Sequence, residues 1–296
     1  MLYDISLRID YSYAAPVMHA RNLLRLLPND IAGEQTVLSR QLTVDPLPSE
    51  RRDFPDFFDN TTSCVAWHQP IQSFSLSLAL RAERQPPPGQ FDLSPPLRAL
   101  PSEIAAARDL SPAAPHHFTA ASRRGPVLPE FTDFARARLR PGMTVLEAVQ
   151  AIGGALHAEM QFAAGATDVD TPAQDAFAAR HGVCQDFSHI MIGCLRGVGI
   201  PAGYVSGFLR TYPPPGRPRL AGADAMHAWV RAWAGAEMGW IEYDPTNDQP
   251  AGADYVTIGH GRDYDDVAPV RGIVRGIVRG AGGRSTAQSV DVAVVP

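Results

Sequence analysis

Apolar and polar side chains alternate along residues 3–9, 37–44 and 74–80, with Tyr3, Ile5, Leu7 and Ile9 on one side of the first run. A period of two sets one face of each run against a core, which predicts half-buried strands. Leu27-Pro28-Asn29-Asp30 and Asp59-Asn60 are turn formers between these runs. Residues 1–84 are therefore expected to form a small β-sandwich-like domain. The prolines of Gln85-Pro86-Pro87-Pro88-Gly89-Gln90 and Ser94-Pro95-Pro96 favour extended backbone and forbid helix. Residues 85–97 read as a Pro-rich linker, and 98–296 as a second domain with a C-terminal strand tail.

In the second domain the period changes to that of a helix. Phe131, Phe134, Ala135 and Leu139 follow Pro129 at helical steps. Leu146, Val149, Ile152 and Leu156 follow Thr144-Val145-Leu146-Glu147, where hydroxyl and carboxylate can each satisfy an orphan N–H. Thr171-Pro172-Ala173-Gln174 reads as a second such box, opening a short helix that Gly182 ends. A further helix starts at Cys184 and carries Phe187, Ile190, Met191, Cys194, Leu195 and Val198 until Gly197, Gly199 and Pro201 stop it. Strand-like runs follow at 203–209, 226–233 and 240–244, the first two separated by the loop Pro213-Pro214-Pro215-Gly216. The last two predict a hairpin, joined by six residues rich in Ala and Gly. The tail duplicates Arg271-Gly272-Ile273-Val274 as Arg275-Gly276-Ile277-Val278 and ends in a strand over 290–295.

With 296 residues, 45% of them hydrophobic and 19% charged, the chain has the composition of a globular protein with room for two domains. A formal net charge of −5 gives no reason to expect nucleic acid or an anionic membrane as partner, and no run has the apolar length of a membrane span. The first residues alternate like a strand and lack the apolar segment of a signal peptide. Three cysteines do not make a disulfide framework, so a reducing cytoplasm is the expected location. All 26 cationic side chains are arginine, a bias that matches the abundance of Ala, Gly and Pro expected of a GC-rich genome.

The chemistry gathers around Cys184. At a helix start the first N–H groups lack carbonyl partners and the dipole favours negative charge, so a thiolate is favoured over a thiol. Cys194, ten residues on, lies on the buried stripe. A nucleophilic cysteine needs a base, and a third group to orient that base. If Trp233 pairs with Trp240, Asp244 lies opposite Trp229, and His227 and Asp244 become diagonal neighbours on one face. That register permits a Cys184–His227–Asp244 triad; a one-residue slip would send Asp244 to the other face. His189 falls about 140° around the helix from Cys184 and is expected to be held at the core edge. His181 is expected to sit in a turn.

Gly182-Val183-Cys184-Gln185-Asp186-Phe187-Ser188-His189, Gly199-Ile200-Pro201-Ala202-Gly203-Tyr204-Val205-Ser206-Gly207, His227-Ala228-Trp229 and Asp244-Pro245-Thr246-Asn247 stand in the order found in bacterial transglutaminase-like cysteine proteins. Thr167-Asp168-Val169-Asp170-Thr171-Pro172 and Gly261-Arg262-Asp263-Tyr264 extend the resemblance. The N-terminal part, with Asp10-Tyr11-Ser12-Tyr13 and Pro16-Val17, resembles the β domain that precedes the core there. The resemblance implies an α+β fold with a papain-like, transglutaminase-like catalytic core. It implies Cys184 as nucleophile, His227 as base and Asp244 as orienter. Two positions depart from the pattern: Gly203 stands where arginine is usual, with an altered surface pairing expected, and Phe162 where tyrosine is common. Gln161 is a candidate second oxyanion donor and also an ordinary helix-end polar residue.

Asp186 suits a helix start, and its charge beside Cys184 opposes thiolate formation, which favours a structural role. Trp229, Trp233 and Trp240 are expected to pack a core. Asp168, Asp170, Asp263, Asp265 and Asp266 fit no calcium loop, and His181, Cys184 and His189 lack paired zinc ligands, so neither metal nor cofactor is expected. The expected function is a cysteine enzyme attacking an amide of a peptide or protein through a thioester, with hydrolysis favoured. The alternatives are a true transglutaminase, with an amine as acceptor, and a non-catalytic peptide-binding module.

Overall fold

The computed structural model describes residues 1–85, 91–212, 224–275 and 284–295. The middle of the expected linker, the loop at 213–216 and most of the second copy of the tail duplication lie outside the described residues.

Six strands open the chain: β1 (Leu2–Val17), β2 (His19–Leu27), β3 (Gln35–Asp45), β4 (Glu50–Pro55), β5 (Thr61–Trp67) and β6 (Ile71–Arg84). They divide between two antiparallel sheets, with β1, β6 and β3 neighbours in one and β2, β5 and β4 in the other. Alternation fixes the inner faces: Tyr3, Ile5, Leu7 and Ile9 of β1 and Leu76, Leu78 and Leu80 of β6 share a core with Leu24, Leu26, Val65 and Trp67 of the second sheet. Each such side chain contributes roughly 1.5–3 kcal/mol on burial. The alternating runs at 3–9, 37–44 and 74–80 thus lie inside β1, β3 and β6.

The second part begins with a 3-10 turn at Leu97–Ala99 and α1 (Leu100–Ala106), followed by a 3-10 turn at Pro115–Phe118. Then come α2 (Pro129–Arg136), α3 (Val145–Glu159), β7 (Gln161–Phe162), α4 (Ala173–Ala179), β8 (His181–Gly182) and α5 (Cys184–Gly197). The box at Thr144 forms as expected: Glu147 donates its N–H to the Thr144 hydroxyl at 3.2 Å and accepts the Thr144 N–H at 2.9 Å. The second box does not form. Pro172 is the cap residue of α4, and the Thr171 hydroxyl turns back to Asp168 at 3.1 Å. Gly182 does not end α4 either; Arg180, in the left-handed conformation at φ 57°, does.

A mixed-partner sheet completes the domain: β9 (Ala202–Leu209), β10 (Met226–Trp233), β11 (Trp240–Asp244), β12 (Gln249–Pro250) and β13 (Tyr255–Gly261), in the antiparallel order β12-β11-β10-β9-β13. Helix α5 packs on β10 and β9, with α2, α3 and α4 around it. Enclosed by these elements, α5 is buried on every side from Asp186 to Arg196. Its polar members have partners: the Ser188 hydroxyl donates to the Cys184 carbonyl at 2.8 Å, and Arg196 donates to the carbonyls of Ala202 and Arg262 at 2.8 and 2.7 Å. Burial brings Arg196 down to about 10, still a cation at neutral pH.

After α6 (Tyr264–Val267) the chain leaves the core. β14 (Val270–Arg275) pairs with β2, and β15 (Arg284–Val294) pairs with β1, so the tail strands complete the two N-terminal sheets. The sandwich is therefore built from both ends of the chain. Among the described residues no helix is long and apolar enough to cross a membrane.

Candidate active site

Cys184 is the first residue of α5, and its side chain is half-buried. Val183 cannot cap the helix with its side chain. Asp186 substitutes from inside: its buried carboxylate accepts the Val183 N–H at 2.8 Å and the Thr167 hydroxyl at 2.6 Å. Asp186 is thus a brace of the helix start. The brace requires Gly182, because a Cβ there would lie 2.6 Å from the Asp186 Oδ2. The parallel pairing of β7 with β8 sets Gln161 opposite His181 and Phe162 opposite Gly182, with both β7 side chains exposed.

The hairpin of β10 and β11 pairs Val230 with Tyr243 and Trp233 with Trp240, the register on which the triad depends. His227 Nε2 lies 2.7 Å from Asp244 Oδ2. Cys184 lies near enough to His227 to act with Asp244 in raising its pKa. The structure therefore brings Cys184, His227 and Asp244 together. Burial opposes a charge on His227, but Asp244 and Cys184 together outweigh it, and its pKa is pushed up to about 10. The stabilisation this pairing contributes is complete below the ordinary imidazole range and fades as pH rises toward about 10.

Asp244 is fully buried, and burial alone would raise its pKa. His227, Asn247 and Tyr255 reverse that and hold the carboxyl below its ordinary value, so its stabilisation persists above the carboxylate range and is lost on acidification. Oδ2 receives His227, the Asn247 side-chain amide at 2.6 Å and the Tyr255 hydroxyl at 2.8 Å. Oδ1 receives the backbone N–H groups of Thr246 and Asn247 at 2.9 and 3.3 Å. Asn247 and Tyr255 are partners of Asp244 to which sequence pattern assigns no role. Tyr255 was hidden because β13 is buried on both faces and shows no alternation.

Beside the triad, Trp229 stacks on His227 with centroids 6.2 Å apart and meets Tyr255 edge-on at 5.2 Å. It fits because Gly207 lies opposite His227 on β9: a Cβ there would approach the indole to 2.5 Å. The Trp229 N–H donates to Glu242 at 2.8 Å. Burial would raise Glu242, but His260, Arg84 and Trp229 together bring it down to about 2. Trp229 and Trp233 are core residues, and the Trp240 N–H donates to the Ala113 carbonyl at 2.8 Å.

The rival histidines are engaged elsewhere. His189 accepts the Tyr264 N–H at 3.2 Å and meets the Tyr204 ring at a tilt, and burial brings its pKa down to about 4. His181 lies 3.1 Å from the Ala179 carbonyl. Gly203 is buried rather than at a surface, with Phe118 and the Gly261 carbonyl where a side chain would begin. Three of the five acidic residues that fit no calcium loop are paired with arginine: Asp170 and Asp265 with Arg124, both at 2.8 Å, and Asp266 with Arg262 at 2.9 Å. His189→Gln, which keeps an acceptor for Tyr264, is expected to leave iodoacetamide alkylation of Cys184 at pH 7 within about twofold of wild type. A tenfold loss would place His189 in the base machinery.

Residues 3–83 match the bacterial transglutaminase-like N-terminal region, and residues 132–245 match the core of the transglutaminase-like superfamily. An uncharacterized protein of Mycobacterium tuberculosis is 33% identical over 276 residues, spanning 92% of this chain and 87% of its own. The chain belongs to the transglutaminase-like superfamily. An uncharacterized protein of Mycobacterium leprae is 42% identical over 138 residues, 46% of each chain. The crystal structure of a proposed cysteine protease from Cytophaga hutchinsonii superposes with a TM-score of 0.74 at 22% identity, covering 99% of this chain and 90% of that one. That match supports the α+β architecture, a transglutaminase-like core with an N-terminal sheet region, across the whole length.

Proposed function

We propose that this transglutaminase-like protein is a cysteine amidase or peptidase that cleaves an amide of a peptide or protein substrate through a thioester. The observation that carries this reading is the His227–Asp244 contact of 2.7 Å, made by a ring that the neighbouring cysteine at the α5 start helps to keep charged. In this scheme His227, raised to about 10, already holds the proton of the pair when the Cys184 sulfur attacks the carbonyl carbon. The tetrahedral oxyanion forms beside the Cys184 backbone N–H, one of the unpaired donors of the α5 start. His227 passes the proton to the departing amine, then takes one from water as the water attacks the thioester, and keeps it beside the leaving thiolate. Asp244 keeps the imidazole oriented and balances its positive charge.

Hydrolysis is favoured over amine transfer by the packing of the hairpin aromatics. A lysine-accepting site needs a passage that excludes water and guides an amine to the thioester. Trp229 is fully buried and Trp233 nearly so, which leaves neither to line such a passage. A reducing cytoplasm suits the three free cysteines, and the net charge of −5 favours a peptide partner over nucleic acid or an anionic membrane. Offering a glutamine-containing peptide with and without a fluorescent primary amine tests the acceptor. Ammonia or cleavage products without incorporated amine are expected. Efficient incorporation at modest amine concentration would make the protein a transglutaminase, and inertness toward a peptide library together with ordinary thiol reactivity would make it a binding module.

A further inference from the structure

We propose that the N-terminal sandwich is a working part of the active site, fixing the His227–Asp244 pair through β13 with Tyr255 as the positioning residue. The proposal rests on the reading of Cys184, His227 and Asp244 as the reacting groups.

Strand β13 lies at the edge of the core sheet, paired only with β9 among the described residues. Its free backbone edge faces the sandwich, which supplies side-chain amides in place of a further strand. Gln35 at the start of β3 donates to the Thr257 carbonyl at 2.8 Å and accepts the Thr257 N–H at 2.8 Å. Asn60, just before β5, does the same for His260, donating to its carbonyl and accepting its N–H, both at 2.8 Å. Both amides are buried, so these bonds act without competition from bulk water. Gly259 lets Asn60 approach: a Cβ there would lie 2.5 Å from its Oδ1.

A third grip holds the beginning of the strand. The buried Tyr3 hydroxyl of β1 donates to the Asp254 carboxylate at 2.9 Å and lies 3.0 Å from the Ala253 carbonyl. Phe208, Val256 and Ile258 enter the hydrophobic core of the sandwich itself. The residue between the Tyr3 grip and the Gln35 grip is Tyr255, apart from Val256. Its hydroxyl accepts the Gln249 amide at 2.7 Å and donates to Asp244 Oδ2 at 2.8 Å, the same oxygen that receives His227. Position 254, just before β13, and positions 257 and 260 within it are thus fixed by the sandwich, while 255 reaches the Asp244 carboxylate. A displacement of β13 would withdraw one of the three donors on that oxygen and leave the imidazole less firmly oriented.

The test uses the full chain and three changes that keep shape: Tyr255→Phe, Tyr3→Phe and Gln35→Glu. The last retains an acceptor for the Thr257 N–H and loses the donor to its carbonyl. Two readouts need no amide substrate, so a failure of the proposed activity would not disturb them. These are the titration of the His227 ring by NMR and the pH dependence of Cys184 alkylation by iodoacetamide, with thermal melts confirming the fold. Tyr255→Phe is expected to lower the His227 titration by about one pH unit and to slow alkylation at pH 6 about fivefold. Tyr3→Phe and Gln35→Glu are expected to shift both in the same direction by a smaller amount. A merely structural role would lower the melt and leave the His227 titration unmoved. Unchanged titration and alkylation in Tyr255→Phe, or a shift there with none in either sandwich variant, overturns the proposal. If Gln35→Glu does not melt cooperatively, Tyr3→Phe decides alone.

Discussion

Cys184→Ser is expected to abolish amide turnover, by at least about a thousandfold, while leaving the melting temperature close to that of the wild type. The size of the effect follows from the chemistry. A serine at the same place is a much weaker nucleophile unless its base removes the proton as it attacks, and the geometry around His227 is built for the larger sulfur. The small effect on stability follows from the place. Cys184 is half-buried at the helix start, and the α5 start is held by Asp186 rather than by the thiol. Cys194 provides the control. It is fully buried among Ile190, Met191 and Leu195, and burial pushes its thiol well above the ordinary range. Cys194→Ser places an unpaired hydroxyl there at roughly 1–3 kcal/mol, enough to lower the melting temperature by several degrees with turnover preserved in the folded fraction. Turnover and differential scanning calorimetry on both variants decide the matter. A Cys184→Ser enzyme that retains turnover, with a Cys194→Ser enzyme that is stable and inactive, would exchange the two assignments.

What could be read from the sequence divides along a physical line. Strands with one wet face announce themselves by alternation, so β1, β3 and β6 were visible. Strand β2 was not, because its inward positions include Ala20 and the buried Asn22 and the apolar alternation is broken. Strand β13, buried on both faces and interrupted by two glycines, carries no period at all. The candidate triad was legible because a helix start and a hairpin are local features, and the hairpin register then lies where the Trp233–Trp240 pair puts it. The partners of Asp244 that come from outside the hairpin were not legible. Tyr255 reaches it only because β13 follows β9 in the sheet, and the grip of Gln35 on β13 spans 222 residues of chain. Neither relation leaves a trace in spacing.

The arginine-only composition also acquires a structural meaning. Arg84, Arg196 and Arg231 are all buried, and Arg196 and Arg231 use features of the guanidinium that an ammonium lacks. Arg196 spreads its donors over several carbonyls, whereas Arg231 sits over Trp240 with its guanidinium carbon 3.9 Å from the ring centroid. Arg84 bridges the sandwich and the core, 3.1 Å from Glu34 and 3.9 Å from Glu242, the residue that holds the Trp229 indole against the site. Arg196 and Arg231 thus occupy places where a planar, delocalised cation fits better than an ammonium.

Asp244→Asn is expected to lower amide turnover by roughly a thousand- to ten-thousandfold, close to the loss in His227→Ala, although the new residue has almost the same shape. The reason is the number of donors already aimed at the carboxylate. With the amide nitrogen in the Oδ1 position it would face the N–H groups of Thr246 and Asn247, which belong to the backbone and cannot turn round. With the nitrogen in the Oδ2 position it would face the Asn247 amide, the Tyr255 hydroxyl and His227. The imidazole could then accept that nitrogen's proton only by carrying its own hydrogen on the side of Cys184, where it can no longer serve as the base. Either orientation opposes donor to donor in a buried place, at about 1–3 kcal/mol for each unpaired group. Stability should fall along with activity, unlike in Cys184→Ser. The substitution also removes one of the two groups that keep His227 raised, leaving only Cys184 against burial, so the ring should titrate well below about 10. Steady-state kinetics, calorimetry and an NMR titration of His227 check the three effects together. Wild-type turnover in Asp244→Asn, with an unmoved His227 titration, would show that this carboxylate does not orient the base.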